Sequence, residues 1–145
     1  MQSYRHKQTG TALLIIMLSS ACILIIATYD MVQVMNISLA ILAVVSILFS
    51  SLTVYLDEDA ISWHFGIKFW HRSIKLNQIA SAKIITTKWY YGLGIRLTPV
   101  GWLYTVSGNQ AIELTKVNGE RVAIGTNDAS GLIAQLNKRH IDFNT

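Results

Sequence analysis

Two stretches decide how this chain reads: Ala12–Ala27, ALLIIMLSSACILIIA, and Ile37–Leu52, ISLAILAVVSILFSSL. The first lies in a run of 22 uncharged residues, Gln8–Tyr29, and the second in a run of 26, Met31–Leu56. A helix rises about 1.5 Å per residue and a hydrocarbon core is about 30 Å thick, so about 20 apolar residues suffice to cross it. Both runs clear that length. The interval Thr28–Asn36 is short, so helices built on the two runs must be antiparallel. The pattern predicts a transmembrane hairpin over residues 11–56, with spans at about 11–28 and 34–54, preceded by an N-terminal segment 1–10.

Charge placement orients that hairpin. Arg5 and Lys7 precede the first run, and the interval holds Asp30 but no lysine or arginine. The positive-inside rule then puts segment 1–10 and everything after the second run in the cytoplasm, as in a multi-pass protein of the bacterial inner (cell) membrane. A cleaved signal peptide fits less well, because apolar residues continue past any small-residue cleavage site and a second run follows. Leu18–Cys22 resembles a lipoprotein processing box, but the leucine stands one place too far from the cysteine. A pair of buried helices in a small water-borne domain is the third alternative, and helices apolar all round suit it poorly. Neither run holds an ionisable side chain of the kind transport pathways use. Ser19, Ser20, Ala21, Ser38, Ala43, Ser46 and Ser50 are small enough for close helix approach. Tyr29 and Tyr55 fall where interfacial aromatics are expected.

The 145-residue composition agrees with a divided chain. Apolar residues make up 52% and charged residues 14%, against about 25% charged in average soluble proteins, which excludes disorder as the main state. The lone Cys22 excludes a disulfide framework and a multi-cysteine zinc site. Arg5, Lys7 and Asp30 are the only charged residues before position 57.

Residues 52–145 change period. Ile61, Trp63 and Phe65 alternate with Ser62, His64 and Gly66, the signature of a half-buried strand. Further β segments read at 52–56, 67–75, 80–89, 101–106, 111–116 and 121–125, with Gly92 and Gly94 as a break. Asn118-Gly119 between two β runs predicts a type I′ hairpin turn. Thr126 or Asn127 can cap a helix, and Ala129, Leu132, Ile133, Leu136 and His140 share one helical face. The expected architecture is about seven antiparallel strands in a partly open barrel closed by a C-terminal amphipathic helix.

Gly92-Leu93-Gly94-Ile95-Arg96, Gly101-Trp102-Leu103-Tyr104-Thr105-Val106-Ser107-Gly108, Ala111-Ile112-Glu113-Leu114, Asn118-Gly119 and Ile124-Gly125-Thr126-Asn127-Asp128 occur in that order. In this the region resembles the bacterial pleckstrin-homology-like (PH-like) domains of small membrane proteins. Ala129 stands where members of that family often carry proline. The resemblance implies a PH-like domain over 52–145 and says more about fold than function.

No catalytic constellation emerges. His64 and His71 stand apart from clustered carboxylates, no nucleophile elbow is present, and Gly92-Leu93-Gly94 lacks the rest of a phosphate loop. Neither an enzyme nor a cofactor nor a metal is expected. The functional hint is basic: Lys68, Arg72, Lys75, Lys83, Lys88 and Arg96, with Lys68, Arg72 and Lys88 on faces opposite Ile67, Phe69 and Trp89. These three are the candidate membrane- or partner-facing residues; solvated charges with no partner are the alternative. The reading is a membrane-anchored interaction module for a protein partner or anionic lipid headgroups, with the lipid bilayer as its support and no nucleic acid. The alternative is an accessory subunit of a larger membrane complex that packs through its hairpin.

Overall fold

The computed structural model describes residues 4–139. The chain begins with a strand where the sequence predicts only an N-terminal segment. Tyr4–Thr9 forms β1, antiparallel to β2 (Ser51–Leu56), with Tyr4 opposite Leu56 and Thr9 opposite Ser51. Between the two strands stand α1 (Thr11–Ala27) and α2 (Val32–Leu48), packed on each other. The helix pair is therefore an insertion at the end of a β ladder. The Gly10 N–H donates to the Ser50 carbonyl at 2.8 Å and closes the ladder at its foot.

This arrangement overturns the transmembrane hairpin. Each helix has 17 residues, about 25 Å of rise, and no helix among the described residues is long and apolar enough to cross a membrane. The uncharged runs exceed the helices because strands supply their ends: Gln8 and Thr9 finish β1, and Ser51–Leu56 is β2. Leu52, Val54 and Leu56 are buried in the β core. The spans at about 11–28 and 34–54, and with them the multi-pass inner-membrane placement with both ends cytoplasmic, have no helix to carry them.

β3 (Ala60–Phe65) and β4 (Phe69–Lys75) complete a four-stranded antiparallel sheet in the order β1-β2-β3-β4. A single 3-10 turn, Leu76–Gln78, leads into β5 (Ile79–Thr86). The second sheet adds β6 (Gly94–Thr98), β7 (Gly101–Thr105), β8 (Gln110–Lys116) and β9 (Arg121–Gly125) in the order β5-β8-β9-β7-β6. Its β7–β9 pair is parallel. The fold is thus two sheets of four and five strands, and the expected seven-stranded, wholly antiparallel PH-like barrel is corrected. The two unexpected strands are β1, which is nearly all polar, and β6, whose flanking glycines read as a break. Gly92 and Gly94 hold positive φ and steer the chain into β6.

One face of each sheet makes the core. Leu52, Val54, Ile61, Trp63 and Phe65 meet Tyr104, Val106, Ile112, Leu114 and Ile124. Helix α3 (Ala129–Asn137) covers β5 and β8 with Ala129, Leu132 and Leu136, the apolar stripe read from the sequence; His140, the last residue of that stripe, lies outside the described residues. Asp128, rather than Thr126 or Asn127, caps α3 by accepting from the Gly131 N–H at 3.1 Å. The β8–β9 hairpin forms with Gly119 at φ 86, but Asn118 has no positive φ. The turn is thus not type I′: the Gly119 N–H donates to Lys116 O and the Lys116 N–H to Glu120 O, as in a type I turn followed by a glycine bulge.

Candidate functional site

The outward face of the first sheet is built by simple alternation. Tyr4, His6 and Gln8 turn toward the second half of the chain. The Tyr4 hydroxyl donates to Asp128 at 2.6 Å, His6 meets the Asn127 side chain, and the Gln8 amide donates to Ser107 O at 2.8 Å. Arg5 and Lys7 therefore project from the other face. Across the sheet Arg5 aligns with Tyr55, and Tyr55 with Ser62; Lys7 aligns with Thr53, and Thr53 with His64. None of the residues in β1–β4 is acidic.

A shallow hollow of about 360 Å³ opens here, lined by Arg5, Lys7, Thr53, Tyr55, His64, Gly66, Ile67 and Lys68. At its floor the Tyr55 hydroxyl and His64 Nε2 share a hydrogen bond of 3.0 Å. The Arg5 guanidinium lies over the Tyr55 ring at 5.3 Å. Lys68 comes from the β3–β4 turn, where it adopts φ 63. The ion pairs of the described residues are Lys83–Glu113 at 3.2 Å and Lys116–Glu120 at 2.7 Å, so Arg5, Lys7 and Lys68 form no ion pair among the described residues. Burial pushes the His64 pKa down, a backbone hydrogen bond with Phe65 opposes this, and the nearby His71, Lys68 and Arg5 push it further down. Unpaired positive charge around a floor of neutral donors and acceptors suits an oxyanion.

The hollow lies at the foot of the helix pair. β1 runs straight into α1, and Phe49, just past α2, packs tilted against Phe65 and edge-on to Phe69, at ring-centroid distances of 5.1 and 5.8 Å. A Cβ on Gly66 would fall 2.5 Å from Leu48 O, so the turn bearing Lys68 is pressed against the end of α2. Above this basic foot the helices present bare apolar side chains, including Leu18, Ile26 and Ile37, the middle one 76% exposed.

The expected trio of Lys68, Arg72 and Lys88 is not brought together. Lys68 joins the basic hollow. Arg72, on β4, stacks over Trp70 at 5.5 Å and faces a separate cleft between the sheets. Lys88 belongs to the loop after β5, 5.5 Å from the Tyr90 ring, where a hydrogen bond with Tyr90 raises its pKa. Tyr29 is exposed in the α1–α2 connection, and Tyr55 is a floor residue of the hollow. Arg5, Lys7 and His64 went unassigned to this site; the alternation in Tyr4-Arg5-His6-Lys7-Gln8-Thr9 was the signal that could have found two of them. No group of metal-ligating side chains occurs among the described residues.

Comparison with family models, curated proteins and solved structures finds no match. The resemblance to bacterial PH-like domains is overturned by the strand plan of two sheets with a parallel pair, and no family model matches to support it.

Proposed function

We propose that this protein is a non-catalytic interaction module that docks on an anionic lipid surface. The observation that carries the reading is the juxtaposition of an uncovered apolar helix pair with a carboxylate-free basic hollow at its foot. The helices supply apolar contact with the acyl region without crossing it. Arg5, Lys7 and Lys68 take phosphate-bearing headgroups, each basic residue near such a surface contributing about 1 kcal/mol. Contact with a purely apolar protein surface would leave the basic foot without a counterpart.

The test is flotation of the full chain with vesicles. Phosphatidylglycerol-containing vesicles should bind at least tenfold more tightly than pure phosphatidylcholine vesicles in about 0.1 M salt. The difference should vanish near 1 M, where the screening length falls from about 10 Å to about 3 Å. The triple variant Arg5→Gln, Lys7→Gln, Lys68→Gln should erase the preference and leave binding to neutral vesicles intact. Equal binding to both vesicle types in low salt overturns the reading. So does a stoichiometric protein complex in detergent extract that forms through the helices with the triple variant as readily as with the native chain.

A further inference from the structure

The cleft between the edge strand β4 and the second sheet is separate from the basic hollow, and its chemistry is different. It encloses about 200 Å³ and is lined by Trp63, Trp70, Arg72, Ile95, Trp102 and Tyr104, among others. Three of the four tryptophans of the chain are in this lining. Trp63 is 2% exposed, and its indole Nε1 donor has no hydrogen-bond partner. A buried donor without an acceptor is destabilising, and phenylalanine would pack there without leaving one.

The charges at the rim are also informative. Glu120 is held by Lys116 at 2.7 Å, and that contact lowers the Glu120 pKa. Arg72 lies with its guanidinium over Trp70, and its charge also helps to lower the Glu120 pKa, but among the described residues it forms no ion pair. One glutamate against one lysine and one arginine leaves the cleft with a single net positive charge. Trp70 holds φ 51, a left-handed conformation uncommon for a bulky residue, and this turns its ring beside Arg72 at the cleft.

We infer that this cleft is a binding site for a small flat aromatic monocarboxylate. Its ring would lie among Trp63, Trp70, Trp102 and Tyr104, with its carboxylate taken by Arg72, as guanidinium groups take planar carboxylates. Trp63, whose indole donor is unpaired, lines the same cleft. A volume of about 200 Å³ is below the 300–1,000 Å³ of drug-sized sites, which restricts the ligand to a bicyclic or smaller body.

The experiment uses the full chain and two probes of nearly equal shape, 2-naphthoate and 2-naphthamide, followed by calorimetry and by the tryptophan indole N–H resonances. Naphthoate should bind at least tenfold more tightly than the amide and shift the Trp63, Trp70 and Trp102 signals but not that of Trp89, which is 91% exposed elsewhere. Arg72→Gln changes an exposed side chain and should abolish the preference for naphthoate. Trp63→Phe should weaken both probes. Equal affinity for the two probes, an unchanged preference in Arg72→Gln, shifts confined to Trp89, or no binding by the native chain at millimolar probe overturns the inference.

Discussion

His64 shows how one side chain can join stability to site chemistry. It is a polar residue on the outward face of β3, yet Arg5, Lys7 and Lys68 reach across the hollow around it and it is buried. Its folded pKa lies below the ordinary value of about 6.5, chiefly through burial. Between the folded value and about 6.5 the unfolded chain takes a proton that the folded chain refuses, so stability rises with pH in that window. The contribution is present above about pH 6.5 and is lost as the pH falls. Urea midpoints between pH 7.5 and 5 should therefore fall for the native chain and fall less for His64→Gln. Tyr4 works in the opposite pH range. Burial first, then its hydrogen bond to Asp128, raise its pKa far above 10. The unfolded chain ionises near pH 10 while the folded chain resists, so this stabilisation is intact below about pH 10 and is lost above it. Tyr4→Phe should show a shallower alkaline loss in the same measurement.

At the scale of elements, α3 was legible almost residue by residue. Ala129, Leu132 and Leu136 repeat at helical spacing and are the residues buried against β5 and β8. Leu136→Ala should cost about 2–5 kcal/mol in chemical denaturation, and exposed Asn137→Ala within about 0.5 kcal/mol. Asp128→Ala removes the cap of α3 and the acceptor for Tyr4, and should cost at least the 0.5–2 kcal/mol of a lost cap. The strands were legible where alternation is apolar on one side, as at Ile61, Trp63 and Phe65. They were not where the inward positions are themselves polar. Tyr4, His6 and Gln8 face inward through hydrogen bonds, so β1 carries no hydrophobic period. The site suffered for the same reason: with β1 unread, Arg5 and Lys7 looked like topological charges rather than neighbours of Lys68 across a sheet. Arg72 does not sit simply opposite Phe69, because a register shift between Trp63 and Phe65 breaks strict alternation near it.

At the scale of the whole molecule, the two apolar runs were visible from the sequence, but their boundaries were not, because a buried strand and an apolar helix share the same uncharged composition. The ladder geometry makes a strong prediction about how the two parts depend on each other. Thr9 and Ser51 face each other across β1 and β2, and Gly10 is bonded to Ser50. The ends of the helix pair thus meet at the distance a two-residue hairpin loop spans. Replacing residues 10–50 by Asn-Gly should give an ordinary β1–β2 hairpin and leave both sheets, α3 and the basic hollow in place. Among the helix residues, Leu13 alone is buried; the replacement also removes Phe49, which packs on Phe65 and Phe69, so the β core should lose stability but keep its fold. The shortened chain should show a cooperative unfolding transition and run as a monomer without detergent. The native chain, with an apolar surface larger than monomeric proteins ordinarily tolerate, should need detergent or lipid, or should self-associate. With the helices gone, any remaining attraction to anionic vesicles must come from Arg5, Lys7 and Lys68 and should disappear at about 1 M salt. A shortened chain that fails to fold would show that the helices are part of the core rather than an insertion into it. A native chain that stays monomeric in plain buffer would show that their apolar faces need no cover.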